Sequence, residues 1–71
     1  MPTYQYQRIA AALRSRIRTG KYPPGSKLPT RTQLQTEFSV SDIPVGGAIR
    51  LLKHEGLVEG LPGVGVYVVE Q

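Results

Sequence analysis

Arg8, Arg14, Arg16, Arg18, Lys21, Lys27 and Arg31 place seven positive charges within residues 1–36, where no Asp or Glu occurs. The second half holds Arg50 and Lys53 against Glu37, Asp42, Glu55, Glu59 and Glu70. Such a one-sided distribution attracts a polyanion, met mainly by the first half of the chain. A basic but idle surface has the same composition, so charge alone does not choose between them. Other chemistry is poorly supplied. His54 is the sole histidine, with no carboxylate or serine at a spacing that would make it a base or nucleophile partner, so an enzyme is not expected. One histidine and no cysteine leave a metal site without ligands. Gly60, Gly63 and Gly65 are followed by no helix, so they are turn glycines and not a phosphate cradle. No cofactor, metal or small-molecule site is expected in this chain.

The elements that would carry these charges are legible from spacing. Seventy-one residues make one domain, 1–71, too short for a separate core and active site. No membrane-length apolar run and no signal-peptide pattern occur, which predicts a cytoplasmic protein without membrane attachment. Thr3 is placed to cap a first helix that runs to about Thr19, with Gly20 as its stop. Tyr6, Ile9, Ala10, Leu13 and Ile17 recur at helical spacing and fall on one face. Pro23-Pro24-Gly25 must turn, and Ser26-Lys27-Leu28 has room only for a short strand. Thr30 and Gln33 fit a capping box opening a short second helix, with Leu34 and Phe38 inward, that ends at Ser39.

Val45, Ala48, Ile49 and Leu52 give a third helix its apolar face, and Gly56 stops it. The residue before a proline avoids helical geometry, and proline suits the first helical position. The third helix is therefore predicted to begin at Ile43 or Pro44, with Asp42 or Ile43 as cap. Leu57–Glu59 and Val64–Val69 read as strands around a type II turn at Leu61-Pro62-Gly63-Val64. The fold class is α+β: a three-helix winged helix-turn-helix with a short strand and a C-terminal β-hairpin wing.

With these elements in place, the chain resembles the DNA-binding domain of the GntR family of bacterial transcription regulators. The matching segments are "YQRIAAALRSRIRTG" at Tyr6–Gly20, "YPPGSKLPT" followed by Leu34, "VS" at Val40-Ser41, "AIRLLKHEGLVE" at Ala48–Glu59 and "GVGVYV" at Gly63–Val68. The resemblance implies a third helix docked in a major groove and a wing near a minor groove. It also implies base-reading arginines at Thr32 in the second helix, at Asp42 and Gly46 in the third, and in the wing at Gly60, Leu61 and Val64. None of these is basic here, and Arg31 is the only nearby substitute.

The expected function is a DNA-binding domain of a GntR-like regulator that holds duplex DNA largely through phosphates, with atypical base readout. Double-stranded DNA is the expected partner, and a homodimer stays open. The candidate DNA-binding residues are Arg8 and Arg14 in the first helix, Lys27 in the connector, and Thr30, Arg31 and Thr32 at the second helix. Ser41, Ile43, Gly46, Gly47, Arg50 and Lys53 follow around the third helix, with Gly63 in the wing. Arg50 and Lys53 suit phosphates and the negative helix end equally. Ile43 fits a thymine methyl or a capping role. Gly46 and Gly47 each weaken the helix by about 1 kcal/mol relative to alanine, which points either to close backbone approach or to relaxed selection. Leu61 and Val64 suggest the alternative, a winged-helix module used for protein contact or assembly. A small accessory DNA-binding protein is the other reading.

Overall fold

The computed structural model describes residues 4–70. Helices α1 (Gln5–Arg18), α2 (Arg31–Phe38) and α3 (Asp42–His54) precede an antiparallel hairpin of β1 (Val58–Leu61) and β2 (Gly65–Val68). This is the predicted winged helix-turn-helix order. Thr3, the expected first cap, lies outside the described residues, and Tyr4 takes the N-cap position without a side-chain bond.

Local chemistry explains the boundaries. The Thr30 hydroxyl accepts the Gln33 N–H at 3.2 Å while the Gln33 side chain accepts the Thr30 N–H at 2.9 Å, so the capping box forms as read. All three helices end by folding the next N–H groups back onto the last turn, α2 through Ser39 and Val40, which donate to Thr36 and Gln35 at 3.4 and 3.1 Å. At α1, Gly20 and Lys21 donate to the Ile17 and Arg16 carbonyls at 3.3 and 2.9 Å. At α3, Gly56 and Leu57 donate to Lys53 and Leu52, both at 3.0 Å. Gly56 has φ +78°, and a methyl added there would meet nothing within 4 Å. Gly56→Ala should therefore cost only the left-handed backbone penalty, about 1 kcal/mol, read as a lower urea midpoint. An unchanged midpoint would contradict this account of the α3 stop.

The expected start of α3 needs correction. The helix begins at Asp42, with Ser41 in extended geometry at φ −79° and ψ 178° as N-cap, so Ile43 is helical and Pro44 stands third. The first few N–H groups of any helix lack an internal acceptor, so proline loses no bond at the third position either. The residue four before Pro44 is Val40, which lies outside α3, and the ring meets no helical carbonyl. The preference of a pre-proline residue for extended backbone is a bias that a helix start overrides.

The hairpin also differs slightly from the reading, since β1 runs on through Gly60 to Leu61 and Val64 belongs to the turn. Val64 N–H bonds the Leu61 carbonyl at 3.0 Å and Gly63 has φ +75°, the sign a type II turn needs at that place. The connector adds a third extended piece on the free edge of β2. Leu28 donates to Val66 at 2.8 Å and Val68 donates to Ser26 at 2.9 Å, around a bridge between Lys27 and Tyr67.

The core collects the predicted faces. Ile9, Ala10 and Leu13 of α1 and Leu34 of α2 meet Val45, Ala48, Ile49 and Leu52 of α3, closed below by Leu28, Val58 and Val68. Tyr6, Ile17, Phe38, Val40 and Val66 pack half-buried around it. No described polar side chain is buried, so the electrostatics of this domain lie entirely at its surface.

Candidate nucleic-acid interface

Three ion pairs take one arginine from the basic first half and one carboxylate from the acidic second half. Arg14 donates from Nε and Nη2 to both oxygens of Glu55 at 2.9 and 2.7 Å, tying α1 to the end of α3. Arg16 pairs with Glu37, donates to the Tyr22 hydroxyl at 2.8 Å and lies over the Phe38 ring. Arg31 donates from Nε and Nη2 to both oxygens of Asp42 at 2.9 and 2.8 Å. The hydrogen bond from Arg16 holds the Glu37 carboxyl below its ordinary pKa, and the bond from Arg14 does the same for Glu55. The two pairs are thus intact at neutral pH and weaken only as pH falls through those lowered values.

Part of the lopsided charge is therefore complementary within the fold. Among the described residues, Arg8, Arg18, Lys21, Lys27, Arg50 and Lys53 keep no carboxylate partner, against Glu59 and Glu70. Arg14, expected at the interface, has its charge matched by Glu55.

The first residues of α2 and α3 come together at one corner. Asp42 receives a further hydrogen bond from Gln35 at 3.1 Å, and a methyl on Gly46 would overlap the Arg31 guanidinium. The close approach anticipated at Gly46 is thus made by Arg31, an intramolecular neighbour that the spacing did not suggest. Gly47 is explained separately, since a methyl there would lie 3.1 Å from Tyr6 Cβ, where α1 packs on α3. Thr30 is occupied by its cap, whereas Thr32 and Ser41 are exposed beside the Arg31–Asp42 pair in sequence.

Ile43 is 84% exposed. It lines an open groove of about 780 Å³ with Tyr4, Tyr6, Gly47, Arg50 and His54, between the start of α1 and the outer side of α3. Arg8 lies instead in a cleft between α1 and the end of α2, with Phe38 and Val40.

The wing has no basic residue of its own, yet two lysines from elsewhere lie on its glycines. A methyl on Gly60 would sit 2.8 Å from Lys53 Nζ, and one on Gly65 would sit 2.7 Å from Lys27 Cε. Lys53 reaches across from α3 and Lys27 from the connector, so the hairpin carries cations that a scan of its own sequence misses. Gly63 stands exposed in its turn, with Leu61 and Val64 beside it at 44% and 52% exposure. Among the described residues no helix is long and apolar enough to cross a membrane.

Comparison with known proteins follows the same outline. The family model described as "Bacterial regulatory proteins, gntR family" matches residues 5–68. The chain is 42% identical over 66 residues to the mannosyl-D-glycerate transport/metabolism system repressor MngR of Escherichia coli K12, covering 93% of this chain and 28% of that protein. It is 43% identical over 68 residues to the Exu regulon transcriptional regulator of the same organism, covering 96% of this chain and 26% of that one. The chain thus spans about a quarter of the length of these curated relatives. A crystal structure of AraR(DBD) in complex with operator ORX1 superposes with a TM-score of 0.92 at 31% identity, covering 96% of this chain and 82% of that one.

Proposed function

The chain belongs to the GntR family of bacterial regulatory proteins, and we propose that residues 1–71 act as a single winged-helix DNA-binding domain of a transcription regulator. The observation that carries this reading is the likeness, over nearly the whole chain, to an AraR domain solved on its operator. Its role is binding and not catalysis, exerted in the cytoplasm on chromosomal DNA. The start of α3 enters the major groove, as helix-turn-helix geometry directs, and the wing lies near a minor groove. Lys53 and Lys27 flank the wing, and with Arg50 on α3 and Arg8 on α1 they supply the phosphate contacts. Thr32, Ser41 and Ile43 line the groove-facing corner, and Gly63 lets the wing backbone approach. Arg14 is left out of this set because Glu55 already neutralises it.

The test is fluorescence anisotropy of labelled random-sequence duplex at low salt. Saturable binding is expected, and its absence overturns the reading in favour of a protein-contact role for Leu61 and Val64. Lys53→Ala should lower affinity for all duplexes about equally and flatten the salt dependence by about one unit of slope. A loss confined to certain sequences would assign Lys53 to bases instead of phosphates.

A further inference from the structure

We propose that Arg31 reads one guanine in the major groove, and that Asp42, Gln35 and Gly46 hold its guanidinium in the geometry for doing so. The inference rests on the DNA-binding reading above and adds the base that is read. Arg31 is the first residue of α2 and Asp42 the first of α3, so their pair joins the two helix starts of the helix-turn-helix. The start of the second of these helices is the end that such folds turn toward base edges.

A guanidinium carries five N–H groups in one plane. Asp42 takes two of them, Nε–H at 2.9 Å and one from Nη2 at 2.8 Å. The edge between Nη1 and Nη2 keeps one N–H on each nitrogen, side by side and parallel. In the major groove a matching pair of adjacent acceptors occurs on guanine, as O6 and N7, whereas adenine sets a donor beside its N7. The carboxylate that orients Arg31 is itself fixed by Gln35 at 3.1 Å. Gly46 leaves the volume in which Nη2 rests. The Arg31 and Asp42 side chains are 53% and 57% exposed, which places the pair at the surface that a base would approach. Asp42 adds a negative charge near the phosphates, a repulsion that is offset by its orienting the fork. Asp42, Gln35 and Gly46 are positioning residues, and Arg31 determines specificity.

The experiment is selection from a pool of duplexes with a randomised core, bound by the native chain and by Arg31→Ala, Arg31→Lys and Asp42→Asn and then sequenced. An exposed ion pair contributes little to stability, so all three variants should stay folded, which urea melts check. The native chain should favour a G·C pair at one position by about tenfold or more. Arg31→Ala and Arg31→Lys should both abolish that preference, since lysine keeps the charge but not the fork. Asp42→Asn should raise affinity for every duplex while lowering the guanine preference severalfold. An Arg31→Ala pool identical to the native one overturns the inference. So does an Asp42→Asn chain with a stronger guanine preference, because Asp42 would then be withholding Arg31. If the native chain binds no duplex, the DNA-binding reading falls as well; if it binds duplex without an Arg31-dependent guanine, this inference falls alone.

Discussion

Duplex affinity should fall by about two orders of magnitude as salt rises from about 50 to 200 mM, with a slope near −4 in log K against log salt. The figure follows from counting cations that are still available. Arg14 and Arg16 hold Glu55 and Glu37, and Arg31 holds Asp42. Of the unpaired cations, Arg8, Lys27, Arg50 and Lys53 are assigned to phosphates, and each releases close to one counterion on binding. Counting every basic residue instead would predict a slope about twice as steep. Discrimination should remain small, since Arg31 is the one arginine at the corner where α2 and α3 begin. Anisotropy titrations at several salt concentrations, on random and on selected duplexes, measure both quantities. A sequence-selective complex that barely responds to salt would refute a phosphate-led interface.

The difference between the two slopes marks what the sequence could and could not disclose. The helices and their inward faces were legible because periodicity and caps are local: Ile9 with Leu13, and Val45 with Leu52, recur at helical spacing, and Thr30 with Gln33 three residues on announces the helix that starts at Arg31. The charge asymmetry was legible too, but its meaning was not. Whether Arg14 is available to DNA depends on Glu55, 41 positions away, and whether Arg31 is depends on Asp42, 11 positions away. Those distances are set by how α1 and α2 pack on α3, and no local pattern reports them. The same holds for the wing. Gly60 and Gly65 read as turn or strand glycines until the lysines resting on them are seen. At Gly46 the signal was present but incomplete, because a glycine that weakens a helix indicates an approaching group without naming it. A usable clue did exist for the Arg31 clamp, in the opposite charges at the first positions of two helices that a helix-turn-helix must bring together. It was obscured by the displaced reading of the α3 start, which put Asp42 outside the helix.

Leu52→Ala should destabilise the domain by about 3–5 kcal/mol, the upper part of the range for a buried leucine. Leu52 is fully buried on α3, the helix that contacts α1, α2 and β1. The cost of a deleted side chain depends on how far its surroundings can collapse. Here collapse is opposed on both sides. The Leu52 carbonyl holds the Leu57 N–H at 3.0 Å, which fixes the exit toward β1, and the Arg14–Glu55 pair fixes α1 against the same end of α3. A domain of this size has a total stability of roughly 4–10 kcal/mol, so the loss removes a large share of it and, toward the lower end of that range, brings the variant to its folding midpoint. Ile43→Ala, at a residue 84% exposed, removes a similar side chain and should change stability by less than about 0.5 kcal/mol. Urea melts of both variants give the comparison, and a loss below about 1 kcal/mol at Leu52 would mean that the core closes over the cavity. The consequence reaches the interface, because Arg50, Lys53 and the Asp42 clamp all ride on α3. Apparent DNA affinity of Leu52→Ala should drop by the fraction that is unfolded, with the salt slope unchanged. Saturating duplex should raise its melting point, since a ligand that binds only the folded state stabilises that state.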